Sequence, residues 1–443
     1  MDRTRPRSRR GGLFYGWWIV WTAVVVTALS SGAVWGSVGV WLKTLELHFG
    51  WTRTQLTGAF ALAQLESSII GPVAGYYIDR LGPRRMILAG LVVVGGGFIV
   101  LSRTPNLVVF YLAFAIFMIG ASTGTWLPMT TVLNRWFNRK KGTAIAISGE
   151  GNYIGGLLLV PALAWAVNPD HIGWSTTAFG LGILFVTLAV PVSLIMRERP
   201  EQYGLLPDGD DPGRPPGSPA APGLPREGGR AAETAAGLTA REAMRTSAFW
   251  YITLGIAFSA MINQTLGVHL VPMLTDQGIS LQKAAYVWSV IMGAGIVASL
   301  VAGYVGDRAP KNVAMAVSVG IQACAFAFAA HVHSFPMAAL FAVFYGIGFG
   351  GRVPLSVAIR AEYFGPRAFA TITGLSMAPM FLLQVVAPLF AAAMFDIRDS
   401  YVLPFAILTP LGLSGALFCL VARRPAARSA GGGTGGPGSA AGP

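Results

Sequence analysis

The sequence predicts an all-α membrane protein of twelve transmembrane helices in two pseudo-symmetric six-helix bundles, and three observations carry that prediction. Of the 443 residues, 53% are hydrophobic and only 12% charged, about half the charge a soluble domain uses. The apolar residues come in blocks near the ~20-residue length that a helix needs to cross a bilayer's hydrocarbon core. The second six blocks echo the first six.

The blocks lie near 14–40, 56–78, 86–102, 107–133, 142–165 and 174–196, then near 247–270, 284–305, 313–331, 336–358, 367–393 and 401–422. The first follows Arg3 to Arg10 as a signal peptide's apolar region would, but it extends to about Val40. A signal region is only about 7–15 residues long, so this block is the first span. Residues 197–246 contain Pro215-Pro216-Gly217-Ser218-Pro219 and many charges, and read as a cytoplasmic linker with little fixed structure. The expected organisation is a tail at 1–13, a bundle at 14–196, the linker at 197–246, a second bundle at 247–422 and a disordered tail at 423–443.

The net charge of +13 would suit nucleic acid if it were gathered on one element. It is instead spread over the breaks between spans. Twenty-six of the 32 Lys and Arg residues fall in breaks on one side, and only Lys43, Arg53, Arg103, Lys283 and Arg398 on the other. The positive-inside tendency therefore places both termini and the linker in the cytoplasm of a multi-pass cell-membrane protein. Cys324 and Cys419 lie inside apolar blocks and suggest neither a disulfide framework nor a metal site. No nucleophile–base arrangement or phosphate loop stands out, so the expectation is a non-enzymatic monomer without a cofactor.

Internal repetition is explicit. Gly75-Tyr-Tyr-Ile-Asp79-Arg80-Leu-Gly82-Pro-Arg84-Arg85 ends the second span, and Gly303-Tyr-Val-Gly-Asp307-Arg308 ends the eighth, 228 residues later. Phe114-Ala-Ile-Phe117 recurs as Phe341-Ala-Val-Phe344 and Trp136-Phe137 as Tyr363-Phe364, both 227 residues on. Such spacing signals a duplicated six-helix unit. The loop at 75–85 resembles the signature loop of the major facilitator superfamily. Trp136-Phe-Asn-Arg139-Lys140-Lys141-Gly142-Thr-Ala144-Ile-Ala146-Ile-Ser-Gly149 is similar to the fifth-helix signature of the monocarboxylate transporter family. Tyr15-Gly16-Trp17-Trp18 is similar to that family's first-helix motif without its acidic residue, and to the opening of the oxalate–formate antiporters. The resemblance implies the major facilitator fold, alternating access and a small solute as cargo.

The loop residues have a physical use. Asp79 ends one helix and Arg84 or Arg85 starts the next, so charge pairs and helix-end contacts there can latch the halves in one state and release in another. Arg80, Arg84 and Arg85 can equally serve as topology anchors. Asp307 and Arg308 form a weaker copy of the latch.

Three ionisable residues fall well inside spans: Glu66, Glu150 and Arg352. Charge in hydrocarbon costs several kcal/mol, so such groups face a cavity or a partner. Arg352 is eight residues before Arg360 and Glu150 eight after Gly142, which puts both about 12 Å deep at 1.5 Å per residue. Glu66, thirteen residues before Asp79, lies about 20 Å deep. By resemblance, the tenth helix lines the central cavity. A guanidinium keeps its charge and its fork matches a carboxylate, so Arg352 is expected either to bind the carboxylate of an organic anion or to pair with an acidic side chain of the other half. Glu150 and Glu66 can carry coupling protons; alternatively, Glu150 is the partner of Arg352 and Glu66 a neutral acid between helices.

Further binding candidates are Trp126 on the fourth span, Asn263 and Gln264 on the seventh, and Gln384 on the eleventh; His269 reads as interfacial. The oxalate–formate pattern places basic residues on the eighth and eleventh helices, where this chain has none. A single fixed positive charge favours a monoanion. The sequence thus points to a secondary transporter of a small organic anion, a monocarboxylate, with protons as co-substrate. The competing reading is a proton-driven exporter of drug-like or apolar compounds. It rests on Gly151-Asn152-Tyr-Ile-Gly155-Gly156, which partly resembles a drug-antiporter motif but has Asn152 where proline is expected.

Overall fold

A computed structural model describes residues 14–209, 237–306, 308–365 and 367–425, with backbone alone at 67–73, 79 and 370. Among these residues the chain forms twelve long helices. The first six are α1 (Tyr15–Phe49), α2 (Arg53–Leu81), α3 (Pro83–Ser102), α4 (Leu107–Trp136), α5 (Lys141–Ala166) and α6 (Trp174–Ile195). The second six are α7 (Ser247–Asp276), α8 (Leu281–Gly306), α9 (Lys311–Ala329), α10 (Phe335–Phe364), α11 (Phe369–Arg398) and α12 (Val402–Val421). Ten of these are long and apolar enough to cross a membrane by length and composition. The remaining two, α2 and α5, carry Glu66 and Glu150 and run for 29 and 26 residues, ample at 1.5 Å per residue.

Several helices outrun their apolar blocks. α1 ends at Phe49, α7 at Asp276 and α10 at Phe364, rather than near 40, 270 and 358. The extra turns carry Lys43 and Glu46, Asp276, and Arg360 and Glu362. Charged residues end a hydropathy block without ending a helix. Two helices are interrupted near their middles. α1 passes through a π turn at Ser31–Trp35 before resuming at Val38, and α4 breaks at Thr125, whose φ is −110° and ψ −91°.

Within each half, small residues let backbones touch, as polar-lined membrane bundles require. A Cβ on Gly155 would collide with the Ala28 carbonyl, so α5 lies directly on α1. A Cβ on Gly350 would collide with the Gly295 backbone, so α10 lies directly on α8. The repeat is visible in the geometry as well. Arg80 lies over the ring of Tyr76 at 5.6 Å, and Arg308 over that of Tyr304 at 3.6 Å.

The halves meet where α5 packs on α8, α2 on α11, and the last part of α1 on α7. Along the first seam Ser289 Oγ donates to Leu157 O at 2.7 Å and Gln282 Nε2 to Pro161 O at 3.2 Å. We call the face where α1 starts and α12 ends the near face, and the opposite one the far face.

The expectation of little fixed structure over 197–246 is corrected for its described ends. Trp136 Nε1 donates to Arg197 O at 2.8 Å, and the Arg197 guanidinium lies 4.1 Å from the rings of both Tyr15 and Tyr203. Asp208, at a φ of 61°, accepts backbone N–H groups from Asn138, Arg139 and Lys140 at 3.0, 2.7 and 3.3 Å. At the other end, Leu238 N donates to Phe364 O at 2.9 Å. Thr239 and Glu242 then form a capping box on the short helix Ala240–Met244. A run of turn residues and charges looks unstructured to composition, but buried carbonyls and helix ends give it fixed partners. The tail expected at 1–13, all but the first three residues of the tail expected at 423–443, and the linker's centre at 210–236 lie outside the described residues.

Candidate substrate site and gate

One stripe of α10 organises the centre of the molecule. Tyr345, Phe349 and Arg352 sit at i, i+4 and i+7, so they share a face. The Tyr345 hydroxyl accepts from Gln322 Nε2 on α9 at 3.0 Å and donates to Asn263 Oδ1 on α7 at 3.5 Å. Gln322 in turn accepts from Ser259 on α7. The network fixes the helix at the height where the stripe begins. The Arg352 guanidinium carbon lies 5.6 Å from the Phe349 ring, and its electrostatic neighbours are Tyr345, Tyr153 and Cys419. Its Nε is buried without a partner, and among the described residues no carboxylate pairs with it. Among the described residues, the alternative pairing of Arg352 with an acidic side chain of the other half is not made in this conformation.

The first half answers from α5 and α4. The Tyr153 ring meets that of Phe349 at 5.8 Å, closing the seam beside Arg352. One turn earlier lies Glu150, whose Oε2 is buried with no hydrogen-bond partner; the polar side chain that reaches it is Ser299 on α8. Trp126, just after the break in α4, is 50% exposed, and its ring edge comes within 3.8 Å of a Cβ placed on Gly149. Arg352, Asn263, Glu150 and Trp126 are thus linked through Tyr345, Tyr153, Phe349 and Gly149.

Other candidates stand apart. Gln264 and Gln384 are partly buried and make no hydrogen bond among the described residues. Glu66 has a buried Oε2 without a partner and no described link to Arg352. Arg84 and Arg85 line a near-face cavity of about 340 Å³ with Leu88, Ser193, Glu198, Gln202 and Tyr203. They face the segment after α6, not the second half, while Arg80 and Arg308 lie over their own helices' tyrosines. The Asp79 side chain and Asp307 lie outside the described residues.

Two features escaped the sequence reading. Arg360, counted there in the break after the tenth span, is inside α10 and only 6% exposed. Its Nε is also buried without a partner. The second is an ion-pair cluster at the far face, a candidate gate that joins the halves. Asp276 on α7 holds Lys43 Nζ at 2.9 Å and Arg53 Nη2 at 2.6 Å, while Glu46 holds the same two cations at 3.4 and 3.2 Å. Arg53 Nη1 donates to the Tyr401 hydroxyl at 2.8 Å, and its guanidinium covers the Phe395 ring at 3.7 Å. Burial pushes the Tyr401 phenol above its ordinary range, so it stays protonated. That hydroxyl donates to His269 Nδ1 at 3.0 Å, and His269 Nε2 donates to Pro388 O at 2.9 Å; a carbonyl only accepts, which fixes the tautomer. Asp396 accepts the N–H groups of Arg53 and Thr54 at 3.1 and 2.9 Å. The far face is therefore tied across both halves. At the near face the described ion pairs, Arg139–Asp208 and Lys311–Glu362, each stay on one side of the seam.

A two-bundle helical protein with buried charge at its centre and an ionic gate at one face has the architecture of a membrane carrier. The family comparison agrees: the model of the Major Facilitator Superfamily matches residues 23–335 and 296–442, and the chain belongs to that superfamily of non-enzymatic transporters. It is a multi-pass membrane protein that sits in the lipid bilayer and takes small molecules. Among curated relatives, an uncharacterized MFS-type transporter, YcxA, of Bacillus subtilis is 23% identical over 94% of this chain and 95% of its own. Human monocarboxylate transporter 11 is 26% identical over 91% of this chain and 82% of its own. Among solved structures, a bacterial homolog of the human lysosomal transporter Spinster, in an inward-facing and unoccupied conformation, matches with a TM-score of 0.66. It is 17% identical and covers 93% of this chain and 96% of that one.

Proposed function

We propose that this protein is a secondary active transporter that moves a small organic anion across the cell membrane by alternating access. The cargo's carboxylate is held by Arg352, and protons enter through Glu150 or Glu66. The observation that carries the reading is the unpaired Arg352 guanidinium beside the seam between the halves. A buried charge without a counter-charge is unfavourable by several kcal/mol, and an anionic cargo supplies what the protein withholds. Monocarboxylates are the first compounds to test, since several relatives are monocarboxylate transporters by name. Trp126, Asn263, Gln264 and Gln384 are proposed contacts for the rest of the cargo. Asp79, Arg80, Arg84, Arg85, Asp307 and Arg308 are the proposed near-face latch. The carrier acts as a monomer and has no nucleic-acid partner.

The excess of Lys and Arg on the near face supports placing it, with both termini, in the cytoplasm. The face tied across both halves is then the outward one. Cationic drugs are the poorer cargo, because the guanidinium groups of Arg352 and Arg360 would repel a cation. Uptake of labelled monocarboxylates into proteoliposomes provides the test. Arg352→Gln should reduce uptake at least about 100-fold, the loss of roughly 3 kcal/mol expected for a charge-assisted pair, with reconstitution unchanged. Undiminished uptake by Arg352→Gln would overturn the anion assignment.

A further inference from the structure

We propose that Arg360 is a second anion-binding position, which the cargo's carboxylate occupies between the Arg352 site and the near face. The proposal rests on the reading of Arg352 as a carboxylate site and adds a step to it. Arg360 follows Arg352 by eight residues on α10, about 12 Å along the axis. Arginine side chains on a helix lean toward its N-terminus, so Arg360 reaches back toward Arg352, and the two are close enough to repel.

The ordinary partners of a helix-end arginine are taken. Glu362, two residues on, pairs with Lys311. Among the last carbonyls of α10, Ala361 O accepts from Gly365 N at 3.1 Å and Phe364 O from Leu238 N at 2.9 Å. Tyr363 spends its hydroxyl on Ala422 O at 3.0 Å. Arg360 is 6% exposed, with Nε buried and unpartnered, and its side chain makes no hydrogen bond among the described residues. Among the described residues, two permanent positive charges therefore line one stripe of α10 with no counter-charge between them. α10 carries that stripe to the near face, where no described ion pair joins the halves. A carboxylate leaving Arg352 in that direction meets Arg360 next, and its presence relieves the repulsion. An anionic lipid phosphate would satisfy the same chemistry, so the experiment must separate the two.

The test is equilibrium dialysis of radiolabelled benzoate and of pyruvate against the full-length protein in phosphatidylcholine nanodiscs. Two anions per chain are expected for the wild type, one for Arg352→Gln, one for Arg360→Gln and none for the double variant. Arg360→Lys keeps the charge and should keep the second anion, which separates loss of the site from loss of the fold. One anion per chain in the wild type, unaffected by Arg360→Gln and lost in Arg352→Gln, overturns the proposal and leaves the Arg352 reading standing. Binding lost only in Arg360→Gln removes Arg352 and keeps Arg360. Displacement of the second anion when phosphatidylglycerol is added would make lipid phosphate the occupant and overturn the proposal too.

Discussion

Asp276 holds two cations at once, and they come from the other half of the molecule. Its carboxylate reaches Lys43 and Arg53 with side-chain exposures of 10% and 5% on the cations and 28% on itself. Removing one member of a buried pair costs roughly 3–5 kcal/mol. Partial wetting of Asp276 lowers that to about 2 kcal/mol, or roughly 30-fold in an equilibrium. Asp276→Asn should shift the carrier by about that factor toward a state open at the far face. A cysteine placed near the gate and titrated with an impermeant maleimide would report the shift, and unchanged labelling would show that the pair does not hold the face closed. The same reasoning at Glu150 gives a different outcome. Glu150→Gln keeps the shape and removes the titratable proton, so exchange of internal for external anion should persist while accumulation driven by a pH gradient is lost. Accumulation at the wild-type level would release Glu150 from proton coupling.

Elements owe their positions to interactions that composition conceals. The turn between α4 and α5 is built around Asp208, a buried carboxylate with 2% side-chain exposure that arrives from beyond α6. Charge-assisted hydrogen bonds contribute about 1.5–3 kcal/mol each at most. Asp208→Ala should thus lower stability by about 2 kcal/mol or more, read as a fall in the melting temperature of the purified protein. Asp208→Asn tolerates the left-handed backbone and should lose less. Equal melting temperatures for both variants and the wild type would reduce the contact to a bystander. What was legible in the sequence follows from the same distinction. Glu150 and Arg352 stood out because a charge inside an apolar run has few explanations. Tyr153, Tyr345 and Phe349 did not, because aromatic residues are common throughout membrane helices. Arg360 falls in a break by hydropathy because the apolar block ends before α10 does. The gate was invisible since its key pair joins residues 233 positions apart, and no local pattern marks that distance.

At the scale of the whole molecule, the duplicated unit accounts for the architecture and its asymmetry for the chemistry. Arg80 over Tyr76 and Arg308 over Tyr304 repeat, whereas Arg352 and Arg360 have no basic counterpart at 125 and 133, which are Thr125 and Leu133. Among the described residues, the arginines inside spans that lack a carboxylate partner, Arg352 and Arg360, belong to one bundle, and the proposed proton carriers Glu66 and Glu150 to the other. In the proposed mechanism, rocking between the halves would bring cargo charge and proton charge together or apart. Twelve spans could be read from apolar block length alone, and the duplication from the 227- and 228-residue spacings. Which face is closed could not, because closure depends on contacts between the copies.

The far-face gate has one more consequence, for the solution that bathes it. Its acids are partly wetted, with Glu46 at 23% and Asp276 at 28% side-chain exposure, so dissolved salt can reach the pairs. The screening length falls from about 8 Å at 0.15 M to about 3 Å at 1 M ionic strength. Raising sodium chloride on the gated side should therefore favour release of the closed face, speeding turnover where opening limits it. The Asp276→Asn variant, already missing the shared acid, should respond less. Salinity on that side of the membrane would then act as a throttle on the carrier.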